Sequence, residues 1–90
     1  IRHGEDVSIV SPHQIKMARA ALSWSIQKLA DQSKVSPRTL NRIETDGGFQ
    51  VATKVNLAMI QQTLEAAGVE FIGTPEDGPG IRLRSPDRQI

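Results

Sequence analysis

The sequence predicts a mainly α domain of four short helices followed by a short C-terminal β-hairpin, and three observations carry that prediction. A serine or threonine with an apolar residue one place before it and another four places after it occurs four times. The second and third of these hydroxyls stand so close that only a helix of about two turns fits between them. After Gly68 the apolar spacing changes from helical to alternating.

The four hydroxyl residues are Ser11, Ser25, Ser36 and Thr53, flanked by Val10 and Ile15, Trp24 and Leu29, Val35 and Leu40, and Ala52 and Leu57. A hydroxyl in that place accepts a hydrogen bond from a first-turn N–H, and the apolar pair closes over it as a hydrophobic staple. Ser11 adds Gln14 at the capping-box position and Pro12 at the first helical position, and Ser36 is likewise followed by Pro37. The first helix is expected over 12–21 with Ile15, Ala18 and Leu22 inward, and the second over 26–32 with Leu29 and Ala30 inward. The third is expected over 37–45, burying Leu40 and Ile43 and stopping at Gly47-Gly48, where a left-handed cap is cheap. The fourth, over 54–67, places Leu57, Ile60, Leu64 and Ala67 on one face and stops at Gly68. Val69-Glu70-Phe71-Ile72 and Ile81-Arg82-Leu83-Arg84 then read as strands around a Gly/Pro loop. The chain divides on this basis into a flexible arm over 1–10, a helical domain over 11–68, a hairpin over 69–84 and a tail over 85–90.

With 90 residues, 38% of them hydrophobic, the chain is one small domain. A domain of this size buries only about 60% of the surface its unfolded chain exposes, so a partner subunit would add welcome burial. The absence of cysteine removes disulfides and thiolate metal sites. Aliphatic runs such as Val51-Ala52 fall far below the roughly 20 residues of a membrane span or the roughly 7–15 of a signal-peptide core, so a cytoplasmic protein without a membrane partner is expected. Starting at Ile1 without a methionine, the chain reads as a trimmed product. His3 and His13 are the only histidines, and no metal spacing, nucleophile elbow or phosphate loop accompanies them. No enzyme, catalytic residue, metal or cofactor is expected.

The second and third helices, joined by Ser33-Lys34-Val35, have the spacing of a helix-turn-helix. Leu29, Ala30, Val35, Leu40 and Ile43 form the contact between them, and the small Ala30 permits close crossing. Arg38, Asn41, Arg42 and Thr45 share the opposite face of the third helix. Two guanidinium groups flanking a carboxamide suit guanine and adenine edges in the major groove of double-stranded DNA. A merely solvated face is the plain alternative, and the helix-turn-helix frame weighs against it.

Leu22-Ser23-Trp24-Ser25-Ile26-Gln27-Lys28-Leu29-Ala30, followed by Val35-Ser36-Pro37-Arg38-Thr39-Leu40-Asn41-Arg42-Ile43-Glu44, resembles the XRE-type, phage-repressor-like (Cro-type) helix-turn-helix regulators. The resemblance covers Ser11 to Gly68 and implies a lambda-repressor-like fold. The ending from Leu64 to Ile72 with Gly80-Ile81-Arg82-Leu83 resembles a small bacterial subset with a C-terminal extension in place of a fifth helix. The resemblance implies a dimeric transcriptional regulator or an antitoxin-like repressor, and it gives Glu44 a role in stabilising the motif. Three positions depart from the family. Ile26 stands where the family often has a phosphate-holding Gln, with Gln27 as its substitute. Lys34 stands where the turn usually has Gly, and Ser33 replaces a small apolar residue.

Phosphate contacts are expected from Ser25 and Gln27 at the start of the second helix, Lys34 in the turn, Thr39, and Thr53 with Lys54 at the start of the fourth. Trp24 is expected in the core. Val69, Phe71, Ile72, Ile81 and Leu83 offer more apolar strand surface than a four-helix core needs, so they are expected to join two copies into a homodimer, by their edges or their faces. The fold-back alternative packs the hairpin on its own fourth helix. The net charge of +1 favours a second reading, in which the module binds another protein such as a toxin or a regulator.

Overall fold

The computed structural model describes residues 9–45 and 47–84. Four α-helices, one 3-10 helix and a hairpin follow one another among the described residues as α1 (Pro12–Leu22), α2 (Ile26–Ser33), α3 (Pro37–Thr45), the 3-10 helix (Gly48–Val51), α4 (Lys54–Ala66), β1 (Val69–Ile72) and β2 (Gly80–Leu83). Each α-helix opens on its expected hydroxyl. Ser11 Oγ accepts from His13 N at 3.1 Å, Ser25 Oγ from Lys28 N at 3.0 Å, Ser36 Oγ from Thr39 N at 3.1 Å and Thr53 Oγ1 from Asn56 N at 3.1 Å. Such a cap is worth about 1 kcal/mol and needs only the hydroxyl and the turn that follows it. Among the described residues no helix is long and apolar enough to cross a membrane.

The core draws on every layer: Ile15 and Ala18 from α1, Leu29 and Ala30 from α2, Leu40 and Ile43 from α3, Ile60 and Leu64 from α4, and Val69 and Phe71 from β1. Leu22, Leu57 and Ala67, expected inward, are only half-buried. The helix expected over 54–67 stops at Ala66, with Gly68 in the left-handed region at φ 107°. The 3-10 helix was not expected, since four residues carry no periodicity. A Cβ on Gly48 would lie 2.6 Å from the Arg42 carbonyl oxygen, so the chain leaves α3 in closer contact than any side chain allows. Of the segment expected as an arm over 1–10, residues 1–8 lie outside the described residues, as do the expected tail over 85–90 and His3. Ile9, however, is buried in the core.

The hairpin corrects one expectation. β1 and β2 pair antiparallel with Val69 opposite Leu83, Glu70 opposite Arg82, Phe71 opposite Ile81 and Ile72 opposite Gly80. β2 therefore starts one residue earlier than the expected 81–84, while Arg84 N still donates to the Gly68 carbonyl. β1 lies against α4 and β2 against α1, and Val69 and Phe71 are buried within the chain's own core. Their side chains thus belong to the core of the single chain. Ile72 and Ile81 are half-buried and Leu83 is 48% exposed.

Gln14 holds the hairpin in place. Its side chain is 0% exposed. Its Oε1 accepts from Val10 N at 2.6 Å and Ser11 N at 3.2 Å, and its Nε2 donates to the carbonyls of Ile72 at 3.1 Å and Gly80 at 3.0 Å. One amide thus closes the capping box of α1 and ties that helix to both strands. Both donors and both acceptor sites of the amide are used. Replacing it with an apolar side chain of similar size leaves buried backbone groups without partners, which costs about 1–3 kcal/mol. Gln14→Leu is accordingly expected to lower the free energy of unfolding by that amount, read as a lower urea midpoint, and an unchanged midpoint would show that the clamp contributes nothing.

Candidate nucleic-acid interface

α2 and α3 cross through Leu29, Ala30, Val35, Leu40 and Ile43, all buried as the spacing predicts. The turn between them depends on two polar details. Lys34 caps α2 at φ 69°, ψ 16°, with its N–H donating to the Ala30 carbonyl at 2.9 Å, so it adopts the left-handed conformation in which glycine is favoured. Ser33, which stands where the family has a small apolar residue, is buried. Its Oγ accepts from Val35 N at 3.2 Å and closes the turn.

α3 is held from the opposite side by an ion pair. Glu44 has a side chain only 3% exposed and receives two hydrogen bonds from Arg19 of α1, Nε to Oε2 at 2.8 Å and Nη2 to Oε1 at 2.7 Å. Arg19 Nη1 also donates to the Trp24 carbonyl at 3.0 Å, which fixes the α1–α2 loop. The hydrogen bonds that Arg19 donates to the Glu44 carboxylate raise its pKa above the ordinary value, against the opposing pull of burial. Glu44 thus has the motif-stabilising place expected of it, while Arg19 was not singled out because 25 residues separate it from its partner. Trp24 is half-buried against the core, and the Lys28 ammonium stands 5.6 Å from the centre of its ring.

With Leu40, Ile43 and Glu44 facing in, α3 exposes Arg38, Asn41, Arg42 and Thr45 together. The Thr45 hydroxyl donates to the Asn41 carbonyl at 2.6 Å, so only its oxygen lone pairs face outward. The residues expected at phosphates fall into two groups and two outliers. Thr39 and Thr53 meet Arg42 in a groove of about 450 Å³ between α3 and the start of α4, with Gly47, Val51 and Asn56. Gln27 and Lys34 line a shallower groove of about 300 Å³ between α2 and α3 beside Asp31. The Gln27 Nε2 donates to Asp31 Oδ1 at 3.0 Å, which occupies part of the amide and sets a carboxylate next to it. Ser25 and Lys54 line neither groove, and Lys54 is exposed at the start of α4. Asn56 was missed; a polar residue in the first turn after Thr53-Lys54 was the available signal.

Residues 15–52 match the family model described as helix-turn-helix, a span from α1 to the end of the 3-10 helix. The chain carries an XRE-type, DNA-binding helix-turn-helix. Nothing among curated proteins or solved structures matches the chain. α4 and the hairpin lie beyond the matched span, so the helix-turn-helix is joined to a helix and a hairpin outside the family model.

Removing one partner of the Arg19–Glu44 pair strands a buried charge, at a cost of about 3–5 kcal/mol. Arg19→Ala is expected to unfold much of the population at 25 °C. Arg19→Met combined with Glu44→Leu is expected to recover most of that loss, as read by circular dichroism against urea; equal instability of the two variants would refute the charge-pair account. The turn gives the opposite sign. An L-residue in the left-handed region costs roughly 1–2 kcal/mol that glycine avoids, so Lys34→Gly is expected to raise the melting temperature by several degrees.

Proposed function

We propose that this helix-turn-helix regulator reads double-stranded DNA sequence-specifically through α3 and acts as a transcriptional repressor, with two copies on a palindromic operator. The observation that carries the reading is the division of α3 into two faces. Leu40, Ile43 and Glu44 are anchored, while Arg38, Asn41 and Arg42 are free to enter a groove. An arginine fits the O6 and N7 of guanine and an asparagine the N6 and N7 of adenine. Thr45 adds an acceptor oxygen at the far end. Ser25, Gln27, Lys34, Thr39, Thr53 and Lys54 flank that face at helix starts and in the turn, where N–H groups and cations hold phosphates.

Size supports a two-fold pair. The described residues measure 39 × 29 × 23 Å, the same scale as the roughly 34 Å repeat of successive major grooves that two copies would span. In this reading residues 11–68 read DNA and 69–84 join the copies. A compact pair seated on an operator excludes other proteins from the same duplex, which is repression in its simplest form. The net charge of +1 supports a second reading in which a protein, a toxin or another regulator, is the main partner.

Selection from a random duplex pool tests the proposal: enrichment of a two-fold symmetric site is expected, and recovery of random sequence would refute it. Arg38→Ala and Asn41→Ala are expected to cost about 1–3 kcal/mol on the selected site and to relax discrimination at one or two base pairs. Lys54→Ala is expected to weaken specific and random DNA equally. With three to five phosphate contacts per copy, log affinity should fall against log salt with a slope of about −5 to −9. If both α3 variants keep full discrimination, the protein-binding reading moves ahead.

A further inference from the structure

The outer edge of β2 is where a second copy of this chain docks, we infer, pairing β2 with its counterpart antiparallel about a two-fold axis through Arg82. The inference rests on the proposed dimer and adds the surface and the register. Arg84 N bonds to the Gly68 carbonyl, and an antiparallel ladder alternates from that point. Glu70 with Arg82 and Ile72 with Gly80 are therefore the hydrogen-bonded pairs. Val69, Phe71, Ile81 and Leu83 point their N–H and C=O groups away from the partner strand.

The two edges of the hairpin differ. On β1 the outward groups belong to Val69 and Phe71, which are 2% and 8% exposed, so no strand can reach them. On β2 they belong to Ile81, half-buried, and Leu83, 48% exposed, and among the described residues no main-chain bond outside the hairpin ends on either. An open edge of this kind templates another strand.

The edge is complementary to itself. A two-fold axis through Arg82 sets Ile81 opposite Leu83 of the second copy and the reverse, so both outward pairs close and each exposed leucine covers an isoleucine. A shift that centres the axis on Ile81 would set Leu83 opposite Pro79, which has no N–H to give. The chosen register brings Arg82 against its own copy, and each of these guanidinium groups carries a carboxylate with it. Glu70 Oε1 lies 3.2 Å from Arg82 Nη1 and 3.2 Å from Arg84 Nε.

The chain has no cysteine, so a single introduced thiol reports the register directly. Residues facing each other in a non-hydrogen-bonded antiparallel pair have Cα atoms about 4.5 Å apart, within disulfide range. Full-length Arg82→Cys is expected to form a disulfide-linked dimer with oxidised glutathione. Arg84→Cys, whose two thiols would stand about four residues apart along the strand, is expected to form none. Leu83→Pro removes an outward N–H and leaves the ladder to β1 intact, so it is expected to raise the dimer dissociation constant about tenfold or more by sedimentation, with helical circular dichroism unchanged. A dimeric wild type, together with an Arg82→Cys variant that does not cross-link and a Leu83→Pro variant that stays dimeric, would overturn the edge pairing and leave the dimer standing. A wild type that is monomeric both free and on operator DNA would overturn the dimer itself.

Discussion

A bidentate ion pair between Arg19 and Glu44 determines where α3 stands, and the presentation of its outward face depends on it. Leu40 and Ile43 alone bury one stripe of a nine-residue helix, and a stripe of two aliphatic side chains leaves rotation about the helix axis loosely specified. The planar fork of a guanidinium matches a carboxylate in one orientation only. By gripping Glu44 on one side and the Trp24 carbonyl on the other, Arg19 fixes α3, α1 and the loop before α2 as one unit. The pair is partly exposed at Arg19 and enclosed at Glu44, so its value lies in geometry more than in net stability.

Gln14 applies the same device at the other end of α1. A buried amide with all its hydrogen bonds made is specific because any other placement would leave some of them unmade. The helix between Gln14 and Arg19 thereby connects the hairpin to the helix-turn-helix. A two-stranded hairpin is marginal alone in water, and this one gains its stability from the helices it lies on. That docking takes up Val69 and Phe71 and leaves one strand edge, with Leu83, facing outward.

The charge pattern follows the same division. Arg38 and Arg42 stand on the outward face of α3 with no acidic partner among the described residues, and Lys34 and Lys54 stand at its margins. The hairpin's Arg82 and Arg84 are both drawn to Glu70. A net charge of +1 thus conceals unpaired cations on the outward face of α3 and paired ones on the hairpin.

Whatever short-range chemistry controls was legible in the order of residues. Ser11, Ser25, Ser36 and Thr53 mark the helix starts because a cap needs only a hydroxyl and the next turn, and all four are found as caps. The face of Arg38, Asn41 and Arg42 was legible because 100° per residue fixes which side chains share a side once Leu40 and Ile43 face in. Packing decided the rest. Arg19 finds Glu44 across 25 positions, and Gln14 finds Gly80 across 66, through contacts that no local pattern encodes. Alternation in β1 and β2 marked two apolar faces, but whether they met a second copy or the chain's own helices turned on how much core four short helices could supply. In the single chain Val69 and Phe71 join the core with the helices, and Leu83 of β2 is left exposed.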